Sequence, residues 1–342
     1  MPQGAIVLVD KAEGWTSHDV VARARRALGT RKVGHAGTLD PMATGLLVLG
    51  AGPATRLLTY LVGLDKTYTA TIRLGSSTVT DDREGETVEV AGREDVEAVF
   101  ADPTRIAQGV AALTGAIEQA PSAVSAIKVD GRRAYDRVRA GEEVELAKRP
   151  VTIHSFEIGD PRLVQGAGSD PRAGRLAIEV DATVRCSSGT YIRALARDLG
   201  AGLGLGGHLT ALRRTAVGPF DVAAATPLAQ LAGDGETPGD PGELHTPADI
   251  ARLLFPVLEV TGEEARDLAN GKRLAVDPAR SGDAALVATI LPGGADPHPS
   301  DPRPADPHPA DRLVGLVEIT DGRTRIVMNF PAEPEPRNGV AA

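Results

Sequence analysis

The chain has 342 residues, 42% apolar, 24% charged and only 3% aromatic, with a net charge of −9. That length holds one large and one small domain or two medium ones, and its single cysteine, Cys186, excludes an intramolecular disulfide framework and fits a reducing compartment. No run reaches the roughly 18 apolar residues of a membrane span, and the opening MPQGAIVLVDK is too short and too quickly charged for a secretory leader; a cytoplasmic protein without membrane association is expected.

Ala5–Val9 reads as a short buried strand. Thr16-Ser17-His18-Asp19 then has the form of a capping box. The helix that follows places Val20, Val21, Ala24, Ala27 and Leu28 on one face and Arg23, Arg25 and Arg26 on the other, with Gly29 as its C-cap signal. Lys32–Gly50, KVGHAGTLDPMATGLLVLG, is a tightly punctuated loop running into a second buried strand at Leu46–Leu49. Thr67–Gly75 alternates, with Tyr68, Ala70, Ile72 and Leu74 on one face. A second alternation runs from Leu176 to Cys186 and stops at Ser187-Ser188-Gly189. A helix starting near Thr190 then shows Ile192, Leu195, Ala196 and Leu199 at helical spacing. Gly233–Pro247 is a linker by composition. Short strand-like runs follow at Val257–Val260, Leu286–Leu291, Leu313–Thr320 and Thr324–Phe330. Strands and helices are interspersed without regular βαβ spacing, so a mixed α+β sheet is expected. Ala295–Asp311 repeats ADPHP-SDPRP-ADPHP-AD, and prolines at that density favour extended, solvated chain.

The distribution of charge says more than its sum. Thr215–Ala251 carries six acids and no Lys or Arg. Arg185–Arg214 holds Arg185, Arg193, Arg197, Arg213 and Arg214 against Asp198, and His18–His35 holds Arg23, Arg25, Arg26, Arg31 and Lys32 against Asp19. Acid thus gathers in the linker while base flanks the candidate motifs. A polyanionic partner and ordinary solvated helix faces both fit.

Gly202–Gly207 matches G-x-G-x-x-G, but a helix rather than a strand precedes it, so a helix-ending turn is the better reading than a nucleotide site. His298 and His308 lack a third ligand, and no metal is expected. Asp40 stands apart. Pro41 confines it to extended backbone angles, the flanking glycines allow close approach by another backbone, and the strand after it anchors the loop on the core. Such a carboxylate suits a positioned nucleophile or base; a structural turn aspartate fits the residues equally.

GHAGTLDPMATGLLVLG closely resembles the catalytic motif of the TruB family of bacterial tRNA pseudouridine-55 synthases. Asp65-Lys66-Thr67-Tyr68, RLGSSTVTDDREG, PSAVSAIKVDGRRAYDRVRAG, CSSGTYIRALARDLG and GGHLTALRRTAVGPF resemble further family elements in the family's order, over roughly Ala5–Phe220. Ala36 departs from the small polar residue many members carry, and the proline repeat departs more. The resemblance implies an α+β pseudouridine synthase fold, a central mixed, largely antiparallel sheet flanked by helices, with a small C-terminal β-rich PUA-like domain. The expected divisions are a catalytic domain at 1–232, an acidic linker with a short helix at 233–255, the PUA-like domain at 256–331 with a disordered insertion at 292–312, and a disordered tail at 332–342.

The resemblance also implies the activity. Uridine in the T-arm loop of tRNA would be flipped out and isomerised to pseudouridine without guide RNA, cofactor or obligatory protein partner, by a monomer. Asp40 would be the catalytic carboxylate, and Arg193 would pair with it and keep it ionised. Tyr68 would stack on the base and handle its C5 proton. Tyr191 and Leu212 would line the pocket, and His35 would sit near the displaced nucleotides. Lys66, Lys128, Arg213 and Arg214 would meet phosphates. Two rival readings are the catalytic subunit of the related guide-RNA-dependent class and a tRNA-folding chaperone. Ala123–Gly141, similar to the stand-alone family's RNA-gripping insertion, speaks against the guide-dependent class.

Overall fold

The computed structural model describes residues 3–122, 128–129, 132–133, 147–165, 175–234, 237–277, 286–293 and 310–330, with the backbone alone at 128–129 and 132–133. A mixed, largely antiparallel sheet forms its centre. Its main strands are β1 (Ala5–Lys11), β2 (Val33–His35), β3 (Thr44–Ala51), β4 (Lys66–Leu74), β5 (Gly115–Gln119), β6 (Arg149–Ile158), β7 (Leu176–Cys186) and β8 (Gly207–Val217). The principal order across the sheet is β1-β3-β8-β4-β7-β6-β5, with β2 pairing beside β3. Only β3–β8 is parallel among these pairs.

Period-two patterning builds this sheet. Tyr68, Ala70, Ile72 and Leu74 of β4 and Ile178, Val180, Ala182, Val184 and Cys186 of β7 are buried on one face. That face packs against helices α1 (Ser17–Ala27), α2 (Arg93–Ala101), α3 (Thr104–Ala112) and α4 (Ile192–Gly202). Alternate residues of β4 and β7, such as Thr69, Asp181, Thr183 and Arg185, are exposed on the other face. The capping box on α1 forms: Thr16 Oγ1 accepts from Asp19 N at 3.1 Å, and Asp19 Oδ2 accepts from Thr16 N at 3.0 Å.

The C-terminal part is a four-stranded sheet, β9 (Val257–Glu259), β10 (Val287–Leu291), β11 (Arg312–Thr320) and β12 (Arg323–Asn329), with helices α5 (Pro247–Leu254) and α6 (Gly262–Ala269). It shares a core with the central sheet rather than hanging from a tether. Ile6, Leu8, Leu46 and Val48 pack in one cluster with Ala248, Ala251, Ile290, Leu313 and Phe330. Gln3 adds a side-chain clasp, donating to Leu313 O at 2.8 Å and accepting from Leu313 N at 3.1 Å. The acidic segment also joins the body, where His245 and Ile6 exchange backbone hydrogen bonds. Most of the proline repeat, with His298 and His308, lies outside the described residues.

Strands β3 and β8 pair only at Thr44–Gly45 opposite Arg213–Arg214. Beyond that point Asp82 takes the place beside β8, opposite Leu209. The wedge so opened is bordered by the chain leading into β3 and by residues 80–83.

Candidate active site

The loop between β2 and β3 carries Asp40 and is pinned at nearly every residue. Ala36, Leu39, Met42 and Ala43 are buried, which turns Gly37, Thr38, Asp40 and Pro41 outward. Ser17 Oγ accepts from Leu39 N at 2.9 Å and donates to Leu39 O at 3.1 Å. Lys11, wholly buried at the end of β1, donates through Nζ to the carbonyls of Trp15 at 2.7 Å, Ala12 at 3.1 Å and Pro41 at 3.2 Å. Gly14 N donates to the same Pro41 carbonyl at 2.9 Å. Burial pushes the Lys11 ammonium down to about 8, while Asp40 and other nearby acids pull it back up. Arg214, 1% exposed, donates from Nε to Leu46 O at 2.7 Å and from Nη2 to Gly37 O at 3.0 Å. Gly45 lets β3 come this close: at φ +99°, a Cβ there would lie 2.2 Å from Arg214 O.

Arg193 rises from the first turn of α4 into the wedge. Its Nε lies 3.0 Å from Asp40 Oδ2, and its Nη2 donates to Asp40 Oδ1 at 3.3 Å, a two-point grip on both carboxylate oxygens. Nη1 donates to Thr80 O at 2.7 Å and faces Asp82 Oδ2 at 3.5 Å. Asp82 is in turn fixed by Thr80 Oγ1 at 2.5 Å and Glu84 N at 3.0 Å on its other oxygen. One buried guanidinium therefore sits between two carboxylates of unequal exposure, with the Asp40 side chain 36% exposed and that of Asp82 4%. The exposed one can meet a reactant; the buried one cannot.

Tyr68 is buried on the inner face, directly across from Val184 on one neighbouring strand and Arg214 on the other. Burial pushes its phenol up, and the Arg214 guanidinium pulls the other way. Leu212, buried, lies opposite Ala70 on the same face. Tyr191 caps the start of α4, half-buried, its phenol also pushed up by burial. His35 stands at the entry to the loop, edge-to-face with His18 at 6.1 Å between ring centres. Among the described residues its buried Nδ1 meets no hydrogen-bond partner, and burial depresses its basicity. An open cavity of about 610 Å³ adjoins the wedge and is lined by Glu13, Met42, Thr44, Arg83, Leu212 and Arg213 among others. Neither Asp40, Tyr68, Tyr191 nor Arg193 lines it.

Three of the expected phosphate-binding residues are otherwise engaged. Arg214 is a buried brace, since it is in phase with Tyr68 and Leu212 on the inner face. Lys66 is buried too, capping the short helix Leu58–Val62 through the carbonyls of Val62 at 2.5 Å and Leu64 at 2.6 Å, with burial pushing its ammonium down to about 8. Arg213 faces the opposite side of the sheet, where both ends of its fork grip Asp10 at 2.9 and 2.7 Å. The Lys128 side chain lies outside the described residues. The glycine-rich Gly202–Gly207 serves packing: a Cβ on Gly200 would sit 2.2 Å from Gly206 C, so the end of α4 presses directly on the chain entering β8.

Lys11, Ser17, Asp82 and Gln119 are the residues of this site that sequence reasoning missed. Lys11 did carry a signal, standing in phase with the buried Val7 and Val9 of β1.

A model of the TruB family pseudouridylate synthase (N terminal domain) matches residues 25–192, and one of the tRNA pseudouridylate synthase B C-terminal domain matches 193–244. A tRNA pseudouridine synthase B of Leifsonia xyli subsp. xyli (strain CTCB07) is 52% identical over 329 residues, covering 96% of this chain and 97% of that protein. That of Arthrobacter sp. (strain FB24) is 58% identical over 270 residues, covering 79% and 82%. Among solved structures, a chain of a Cbf5-Nop10-Gar1 complex aligns with a TM-score of 0.60 at 24% identity, covering 97% of this chain and 84% of that one. A chain of an H/ACA RNP bound to a substrate RNA containing 2'-deoxyuridine aligns with a TM-score of 0.60 at 22% identity, covering 98% and 87%. At those identities the likeness shows a shared fold, the expected pseudouridine synthase architecture.

Proposed function

Because the chain belongs to the TruB family of pseudouridylate synthases, we propose that it isomerises uridine in the T-arm loop of tRNA to pseudouridine, with Asp40 as its catalytic carboxylate. The observation that carries the assignment of Asp40 is the two-point grip of buried Arg193 on a carboxylate that stays partly exposed. A relative named tRNA pseudouridine synthase B, 52% identical over 96% of this chain, supports tRNA as the substrate; a stand-alone, cytoplasmic enzyme is part of the same proposal. No helix among the described residues is long and apolar enough to cross a membrane.

The reaction breaks the bond from C1′ to N1, turns the base and joins C1′ to C5. Every atom is conserved, so one group must act at C1′ and water must be kept from it. Two routes fit one carboxylate at that place: attack on C1′, in the manner of a retaining glycosidase, or removal of the 2′ proton. In both, Asp40 must be ionised and still. Arg193 grips both of its oxygens, and the pinned loop holds it in place. The target base lies within a folded RNA loop and must leave its stack to reach Asp40. Tyr68, Tyr191 and Leu212 offer the apolar surface that would receive it. With its acidity suppressed by burial, Tyr68 is a phenol at neutral pH and suits stacking better than taking the C5 proton.

The test is carbodiimide mapping of pseudouridine in T-arm RNA incubated with the purified protein alone. Parent protein should convert the loop uridine, and Asp40→Asn should lose turnover while keeping RNA binding. Turnover surviving in Asp40→Asn sinks the assignment; conversion only after adding a guide RNA sinks the stand-alone reading.

A further inference from the structure

The first turn of α4 decides where Arg193 points, and α4 has no side-chain cap of its own. Tyr191 holds the N-cap position without a side-chain hydrogen bond to the helix, and the preceding Gly189 sits at φ +83°, so local sequence alone does not fix the start of the helix. Gln119, the last residue of β5, does. Its side chain is 2% exposed; Oε1 accepts from Tyr191 N at 2.8 Å, and Nε2 donates to Tyr191 O at 3.1 Å. The amide thus closes a ring on both backbone groups of one residue, as a neighbouring strand would. Arg197, one turn beyond Arg193, reinforces the dock by donating to Ala120 O at 2.8 Å.

We propose that Gln119 is a positioning residue for the reaction: by clamping the backbone of Tyr191 it fixes the start of α4, and so the reach of Arg193 to Asp40. This rests on the function proposed above. The lever is short. Each residue of an α-helix advances about 1.5 Å and turns about 100°, so fraying one residue at the start carries the guanidinium off a carboxylate that it grips at 3.0 and 3.3 Å. Misplacement by about 1 Å in a catalytic array costs on the order of 100-fold in rate. Without the amide, the Tyr191 N–H loses its partner and the C=O keeps only Leu195 N at 3.3 Å.

Gln119→Met keeps the length and volume of the side chain and removes both hydrogen bonds; Gln119→Glu keeps the acceptor for Tyr191 N–H and removes the donor. Each is compared with the parent for single-turnover conversion of T-arm RNA, for RNA affinity by filter binding, and for thermal midpoint. The expected result for Gln119→Met is a rate about 10- to 100-fold lower with affinity within about threefold of the parent, and a smaller loss for Gln119→Glu. A Gln119→Met rate within about twofold of the parent overturns the proposal, and so does a loss that follows affinity instead of rate. If Gln119→Met does not fold, Gln119→Glu is judged by the same split. The parent runs in every assay. A parent that converts no uridine refutes the proposed function, and this inference with it; an active parent matched by an equally active Gln119→Met refutes this inference alone.

Discussion

Arg193→Lys separates charge from geometry at the centre of the site. The parent guanidinium spends Nε and Nη2 on the two oxygens of Asp40 and Nη1 on Thr80 O and Asp82. A lysine keeps the positive charge but is a single point on a flexible stem, so it can satisfy one edge and not both. Each charge-assisted hydrogen bond lost is worth about 1.5–3 kcal/mol. Asp40 is one-third exposed, so solvent screening favours the lower end. One lost contact on Asp40 then amounts to about 1.5–2 kcal/mol of orientation, which converts to a roughly 10- to 30-fold slower chemical step. Arg193→Met should be worse in another way. It leaves Asp82, 4% exposed, without a cation, and an uncompensated buried charge costs about 3–5 kcal/mol of stability. Single-turnover conversion of T-arm RNA and urea melts measure the two effects. The reasoning is refuted if Arg193→Lys reacts within about threefold of the parent, or if Arg193→Met melts like the parent.

Two further outcomes follow from the geometry around the loop. Lys66 has its ammonium pushed down to about 8 from 10.5, so the folded protein releases that proton before the unfolded chain does. Stability from this group is therefore lowest below about pH 8 and rises between 8 and 10.5. Over the 1.5 units from pH 8 to 9.5, at about 1.4 kcal/mol per unit, the stability of the parent relative to Lys66→Met should grow by about 2 kcal/mol in urea melts; a difference that does not change with pH refutes it. Gly45→Ala would place a Cβ 2.2 Å from Arg214 O at φ +99°. The strained backbone costs about 1–3 kcal/mol and the overpacking about as much again, so a loss of about 2–6 kcal/mol with the chemical step impaired is expected. Parent-like stability there shows that the junction of β3 and β8 yields easily.

How much of the fold and of the site is legible in the chain depends on whether the signal is local. The strand at Thr67–Gly75 and the capping box at Thr16–Asp19 follow from short-range pattern and are found as expected. The same alternation holds information that charge alone does not. Lys66 is in phase with Tyr68 and Ala70, and Arg214 with Leu212, so period two already sends Lys66 and Arg214 inward and Arg213 to the opposite face. A basic residue beside a motif suggests phosphate, but strand phase outranks charge when the strand lies at the centre of a sheet. Partnerships across the chain left no local trace. Asp40 and Arg193 are 153 residues apart and were joined by resemblance to a family, not by spacing. Asp82 and Gln119 stand among ordinary polar residues and take their meaning from α4, far along the sequence. The contacts that fuse the C-terminal sheet to β1 and β3 leave no local trace either, Gln3 and Leu313 being 310 residues apart.

The division of labour among the buried cations also makes Asp40→Asn a fair test. Lys11 and Arg214 approach the loop closely, yet both bind its backbone, at Pro41 O and Gly37 O. Ser17 likewise holds Leu39 by its amide and carbonyl. Among the described residues only Arg193 touches the carboxylate itself, and it is also held by Thr80 O and Asp82. Removing the negative charge of Asp40 therefore leaves every strut of the loop in place and leaves Arg193 with a second acid. The field in the wedge becomes more positive, a change that favours an RNA phosphate nearby and disfavours development of positive charge at C1′. Loss of turnover with RNA affinity equal to or slightly above that of the parent is thus the specific signature of a catalytic Asp40. A structural turn aspartate would lose both together.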